Sequence, residues 1–388
     1  MSDTKMTSGP LAGVRVVELA GIGPGPFAAM MLSDMGADVV SIVRPGQRQG
    51  DARDVVNRGR RVVELDLKQP GDLARVLDLI GSADVLLEGF RPLAMERLGL
   101  GPEVVLARNP RLVFGRMTGW GQTGPLSQTA GHDINYIAIT GALDSFRASN
   151  GEPVAPLNLV GDYGGGALFL VVGVLAALLE ARTSGKGQVI DAAMCDGVSL
   201  MLSAFHGMHA RKRWTDVPGT NLLDGGAHFY RTYECADGLR IAVGPIEPQF
   251  YSELRTLAGL GDEAFDHQMD RTRWPELRQK LAAVFQTRTR DEWMAIFDNT
   301  DACVAPVIGL FEAPSHPHLA ARETFIEVDG YVQPAPAPRF SRTVSAVQGS
   351  ARAAPVPVSD VLASWSNVSR SETLETREAS VASPMNRG

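Results

Sequence analysis

The stretch VVELAGIGPGPFAAMM, Val16–Met31, runs from a β-branched segment through glycines at positions 21, 23 and 25 straight into a helical pattern. GVRVVELA reads as a strand, Phe27, Met31 and Leu32 follow a helical period, and DMGADVVSIVRP carries a second strand in its apolar centre. This is one β-α-β unit. Working outward, RVVELDL is a strand, Gly71 to about Gly81 a helix, DVLLEGF a strand, Leu93 to Leu98 a helix, and RLVFGRMTGWG a strand. Strands alternating with helices predict an α/β fold built on a doubly wound parallel sheet. Ligands of such sheets bind beyond the carboxyl ends of the strands. The loops at Gly21, Arg44, Asp66 to Lys68, Gly89 to Arg91 and Thr118 to Gly124 are therefore expected to meet at one crevice.

The glycine loop departs from a dinucleotide fingerprint at two places. Pro26 stands where the third glycine of Gly-x-Gly-x-x-Gly belongs, and Pro24 removes an amide that would face a phosphate. The second strand ends in Arg44, where NAD binding calls for an acidic residue against the ribose hydroxyl, and an arginine there suits a phosphate.

Composition narrows the function classes. The chain has 388 residues, 44% of them hydrophobic, which is enough for one large or two ordinary domains with real cores. A net charge of −7 without a basic stripe argues against nucleic acid as a partner. Cys195, Cys235 and Cys303 form neither a disulfide framework nor a metal-ligand spacing, and read as buried thiols in a reducing compartment. MSDTKMTSGP lacks the apolar core of a signal peptide. The run ALFLVVGVLAALLEA from Ala167 is shorter than the roughly 20 residues of a bilayer span and predicts a buried helix. These features together predict a cytoplasmic protein without a membrane span. Downstream, SGKGQVIDAAMCDG reads as a strand and a helix. HFYRTYECADGLRIAVGPIEPQFYSEL shows two β-rich runs around a turn, then a helix start after Pro248. The expected division is a large domain over 10–213, a small α+β domain over 214–325, and a disordered tail over 366–388, which is short of bulky apolar residues.

Few polar residues in glycine-rich surroundings are available for chemistry. His132 and Asp133 are adjacent in AGHDINY, Asp162 opens the long apolar helix in LNLVGDYGGG, and Glu247 precedes a proline in VGPIEPQFY. Each admits a plain structural reading: Asp162 as an N-cap, His132 as a turn histidine, Glu247 as a first-turn acid, Asp133 as a backbone anchor. No metal spacing joins them and GxSxG is absent. Residue types alone leave the reaction open.

The ordered series GPLAGVRVVELAGIGPGPFAAMMLSDMGADVV, RMTGWGQTGP, AGHDINYIAITGAL, LNLVGDYGGGALFLVVGVLAALLEA, GKGQVIDAAMCDG, NLLDGGAHFYRTYECADG and VGPIEPQFY closely resembles the α-methylacyl-CoA racemases of the family III CoA-transferase superfamily, over nearly all of residues 10–345. The resemblance implies a large Rossmann-like domain and a small domain in an interlocked homodimer, with residues 326–365 returning to the large domain. It also implies exchange of the α-proton of a 2-methylacyl-CoA thioester through an enolate, with no cofactor beyond the CoA of the substrate. His132 and Asp162 would be the two bases on opposite faces of the α-carbon, Glu247 would orient His132, and Asp133 would support them. Gly131 and the amides near Asp133 would serve the enolate oxygen. Arg44, Lys68, Arg91 and Arg97, beside Leu65, Gly89 and Phe90, fall on the positions that hold CoA, and Gly131, Asn135 and Tyr136 are expected to join them in binding it. Arg97 in MERLGL equally suits a solvated helix face. The acyl tail would lie on apolar surface, including the run around Met201 to Met208.

The rival within the superfamily is a CoA-transferase in which Asp162 attacks the thioester. Transferases carry Asp-x-x-x-Gln where this chain has His-Asp-Ile-Asn-Tyr, and a longer glycine loop where it has Gly225–Gly226 followed by Ala227 and His228. An NADP-dependent oxidoreductase is opposed by Pro24 and Pro26. A CoA-binding protein without catalysis is opposed by the presence of His132, Asp162 and Glu247 together.

Overall fold

The computed structural model describes residues 8–46, 51–148, 151–351 and 354–366, so the expected disordered tail lies, from Asn367, outside the described residues. The chain divides into two compact units. The first takes the chain up to Thr140, Leu157–Met201 and the chain from Glu323; the second takes Gly141–Pro156 and Leu202–Arg322.

The first unit contains β1 (Arg15–Leu19), α1 (Pro24–Asp34), β2 (Asp38–Val43), β3 (Arg60–Glu64), α2 (Pro70–Ser82), β4 (Val85–Glu88), α3 (Ala94–Arg97), α4 (Pro102–Arg108), β5 (Val113–Thr118) and α5 (Asp133–Ile139). After α6 (Ala142–Ser145), which belongs to the second unit, it resumes with a π-helical segment Leu159–Ala167, α7 (Leu168–Ser184), β6 (Val189–Ala193) and α8 (Met194–Met201). The six strands form one parallel sheet in the order β3-β2-β1-β4-β5-β6. This is the doubly wound α/β sheet that the alternation of strands and helices predicts.

Because successive side chains of a strand face opposite ways, each central strand feeds two cores. Val16 joins Leu87, Val113, Leu170 and Val174 on one face, while Val17 joins Val40, Leu86 and Phe114 on the other. Such strands read as continuous apolar runs because both faces are covered. Residues 358–366 are helical and bring Val361 and Trp365 into the second of these cores. Strand order reverses between β1 and β4, and the loops following them share the sheet's carboxyl edge.

Two features of α7 differ from the sequence reading. The continuous helix is 26 residues long, Leu159–Ser184, and by length and composition matches a membrane-crossing segment, because the glycine-rich turn before Ala167 is itself helical. It is also buried along one side only. Leu170, Val174, Ala177 and Ala181 pack inward, whereas Leu168, Val172 and Leu179 are exposed. Its apolarity thus serves an inner face against β5 and β6 and an outer stripe at the helical spacing.

The second unit contains α9 (Ser203–Ala210), β7 (Arg231–Glu234), β8 (Arg240–Val243), α10 (Pro248–Leu257), α11 (Trp274–Phe285), α12 (Arg290–Phe297), β9 (Val304–Val307) and α13 (Pro317–Ala321). Its antiparallel sheet, β7-β8-β9, turns Tyr233, Ile241 and Val243 into a core with Phe229, Leu254, Leu277 and Phe285. The hairpin β10 (Phe325–Val328) and β11 (Tyr331–Pro334) belongs to the first unit.

Candidate active site

The loop after β5 is clamped onto the start of α5 by aromatic packing. Tyr136 meets Trp120 edge-to-face with ring centroids 4.7 Å apart, and its hydroxyl donates to the Gly131 carbonyl. A Cβ at Gly119 would lie 2.0 Å from the Tyr136 ring and one at Gly131 2.7 Å from it, so both positions must be glycine for the ring to lie there. Asn135 Oδ1 accepts from the His132 N–H at 3.0 Å, which closes the first turn of α5 back on its cap residue. The turn exposes the His132 side chain and buries Asp133.

Asp162 belongs to the π-helical turn that precedes α7, with Asn158 as its cap residue. The N-cap reading of Asp162 is therefore corrected: its side chain accepts from Asn158 Nδ2 at 3.0 Å, and its own N–H donates to Asp133 Oδ2 at 2.7 Å. The other oxygen of Asp133 is buried with no partner among the described residues. Burial pushes the Asp162 carboxyl above its ordinary range and the Asp133 charge adds to this, against the Asn158 donor and His132. A helix N-terminus by itself favours the ionised carboxylate. Here desolvation and a like charge act in the opposite direction.

Glycines permit this arrangement. Gly23 has φ +72°, and a Cβ there would stand 3.0 Å from Asp162 Oδ2, while Gly21 and Gly25 face open space. Phe27 of α1 stacks on Tyr163 with centroids 4.2 Å apart. The opening loop thus lies against the carboxylate of Asp162. On the other side, a Cβ at Gly197 would fall 1.9 Å from the Gly165 carbonyl oxygen, and one at Gly165 2.5 Å from Val198. Gly164–Gly166 bring the π-helical turn onto the backbone of α8.

Around this centre, Arg44, Lys68 and Arg91 follow β2, β3 and β4 at the carboxyl edge of the sheet, with exposed side chains. Leu65 is buried in the core, so any contact it makes with a ligand is through its backbone. The loop Gly89–Arg91 is braced from beneath. The Phe90 N–H donates to Glu88 Oε2 at 2.6 Å, and buried Arg116 pairs with Glu88 at 2.8 Å and with Glu96 at 2.7 Å. Burial raises the Tyr136 phenol, the Asp162 charge raises it further and the Arg91 charge opposes this, so these three groups share one electrostatic neighbourhood. Arg97 is exposed on the one-turn α3 beside Glu96. Glu247 is exposed at the N-terminus of α10 on the second unit.

The first unit thus brings together Gly131, His132, Asp133, Tyr136 and Asp162. Sequence reasoning missed Asn158 and Gly23. Asn158 had a signal in its spacing, four residues before Asp162 on one helical face. The contact made by Gly23 had none, because it joins segments about 140 residues apart.

The sequence profile of CoA-transferase family III matches residues 11–360. Alpha-methylacyl-CoA racemase of Mus musculus is 47% identical over 335 residues, covering 86% of this chain and 87% of the relative. Alpha-methylacyl-CoA racemase of Homo sapiens is 46% identical over 334 residues with the same coverage. Among solved structures, a CAIB/BAIF family protein from Brucella suis matches with a TM-score of 0.78 at 26% identity, covering 92% of this chain and all of that one.

Proposed function

The chain belongs to CoA-transferase family III, and from that premise we propose that it is an isomerase, an α-methylacyl-CoA racemase that interconverts the 2R and 2S forms of 2-methylacyl-CoA thioesters. The observation that carries the reading is the pairing of an exposed histidine with a partly buried aspartate whose carboxyl is pushed upward, His132 and Asp162, at the carboxyl edge of the sheet. Inversion requires a base that removes the α-proton on one face and an acid that returns one on the other. A carboxyl whose ionised form is disfavoured by its surroundings holds a proton more readily, and can act as the acid in one direction and as the base in the other. The thioester carbonyl acidifies the α-proton, and the enolate oxygen formed when it leaves is served by N–H donors at the start of α5. This route needs no cofactor beyond the CoA carried by the substrate.

Asp133 acts as a positioning residue, since its carboxylate holds the backbone amide of Asp162. The resemblance adds Glu247 as the group that orients His132. Arg44, Lys68 and Arg91 supply positive charge for the phosphates of CoA, with Arg97 in reserve on α3, and Gly89, Phe90 and the Leu65 backbone line the same edge. Asn135 and Tyr136 hold the His132 turn beside the thioester. The exposed stripe Leu168, Val172 and Leu179 on α7 supports a homodimer, because an exposed apolar row at helical spacing marks a surface suited to a partner.

The test is incubation with (2R)- or (2S)-2-methylacyl-CoA in deuterated water. Deuterium is expected at C2, with both epimers approaching near-equal amounts from either start, and the rate in His132→Ala is expected to fall by about 10²–10⁴-fold. CoA transfer to an added free acid without α-exchange, with an acyl group trapped on Asp162, would support the transferase instead.

A further inference from the structure

A cavity of about 1070 Å³ opens in the second unit, between β7, β8 and the loop Pro218–Gly225, with Arg147, Arg231, Arg240 and Arg278 on its walls. Small-molecule sites span roughly 300–1,000 Å³, so this one has room for an organic ligand and not only a simple ion. Its four guanidinium groups are served unequally. Arg147 pairs with Asp144, and Arg240 pairs with Glu234 at 2.7 Å. Arg278 forms no ion pair among the described residues. Among the described residues Arg231 makes one long bond, 3.3 Å to the Gly225 carbonyl, and its buried Nε has no acceptor.

Asp224, the one carboxylate among the described residues that line the cavity, does not relieve them. Asp224 accepts from the N–H groups of Gly219, Asn221 and Gly226 and from the Asn221 side-chain amide, which ties it to its own loop. Arg231 lies over the Tyr233 ring at 5.6 Å, a contact that steadies a guanidinium without neutralising it. Burial lowers the pKa of Arg231, and the charges of Arg278 and Arg240 lower it further. A half-buried cation with an unmet donor, facing a second unpaired cation, is unfavourable for folding alone and favourable once an anion is bound between them.

We propose that this cavity binds a small organic oxyanion, a carboxylate or a phosphate ester, clasped between Arg231 and Arg278 with its remaining body against Tyr230 and Leu223. Guanidinium groups recognise both anions through paired N–H donors, so the two sources share one chemistry. All the residues involved belong to the second unit, and none is among those assigned above to the thioester or its CoA.

Isothermal titration calorimetry of the full chain, with glutarate and inorganic phosphate as probes in separate arms, tests this. Saturable binding of at least one probe is expected. It should weaken at least tenfold in Arg231→Gln and in Arg278→Gln, and remain unchanged in Arg44→Gln, which removes a cation of the CoA edge. Preference for glutarate identifies an organic acid, and preference for phosphate a phosphate ester. In thermal melts, Arg231→Met is expected to have a higher Tm than the parent without probe, and to lose the rise the probe gives the parent. Binding of neither probe overturns the proposal, as does binding lost in Arg44→Gln but retained in both cavity variants. Arg278→Gln, a partly exposed helix position, keeps the test valid if Arg231 variants fail to fold.

Discussion

Asp162 is governed by two neighbours that act in opposite directions. Asp133 holds its amide and repels its charge, whereas Asn158 donates to its carboxylate. Asp133→Asn keeps an oxygen for the amide and removes the charge, so the Asp162 carboxyl should ionise more easily. Asn158→Ala removes the donor and should make ionisation harder. The acid limb of the kcat/KM profile of racemisation, where it reports Asp162, is accordingly expected to move to lower pH in Asp133→Asn and to higher pH in Asn158→Ala. Shifts of the same sign, or none, would mean that another group controls the limb. His132, Asp133 and Asp162 were all visible in the sequence, as polar residues in glycine-rich surroundings. The direction in which Asp162 shifts was not visible. Chain position suggests a helix N-terminus and a lowered pKa, while burial and a carboxylate 29 residues away reverse it.

At the scale of elements, the decisive packing is that of the π-helical turn on α8. Gly165 and Gly197 lie backbone against backbone, and no side chain fits between them. Gly197→Ala is expected to destabilise the protein by about 1–3 kcal/mol, as overpacked cores do, through forced separation of the two helices. The same separation moves Asp162, so kcat should fall more than stability predicts at temperatures where the variant remains folded. Denaturant unfolding followed beside single-turnover exchange separates the two effects. An unchanged midpoint in denaturant would show that the helices part without strain. Which helix packs on the run Gly164–Gly166 was outside the reach of local sequence. The π-helical turn was likewise hidden, since glycine and apolar periodicity do not distinguish it from the first turn of α7.

For the whole molecule, the outer stripe of α7 bears on assembly. Val172 is 64% exposed and Leu179 69%, an arrangement a lone subunit gains nothing from. Light scattering on the eluted protein should give twice the chain mass of 41.5 kDa, and Val172→Glu should shift it toward that single mass. A monomeric parent protein would remove the support that the stripe lends to a dimer. Local order along the chain was enough to specify the α/β class, the alternation of strands and helices around Val16–Met31, and the loops that end the strands. Backbone periodicity and β-branched runs act over a few residues, so one strand of text records them. Which residues become a site is a long-range matter. Gly23 meets Asp162, Asp133 reaches its amide and Arg116 braces the loop of Phe90 only after the parallel sheet has formed. Those contacts, and the desolvation that accompanies them, arise when distant segments exclude water together, and tertiary packing alone decides them.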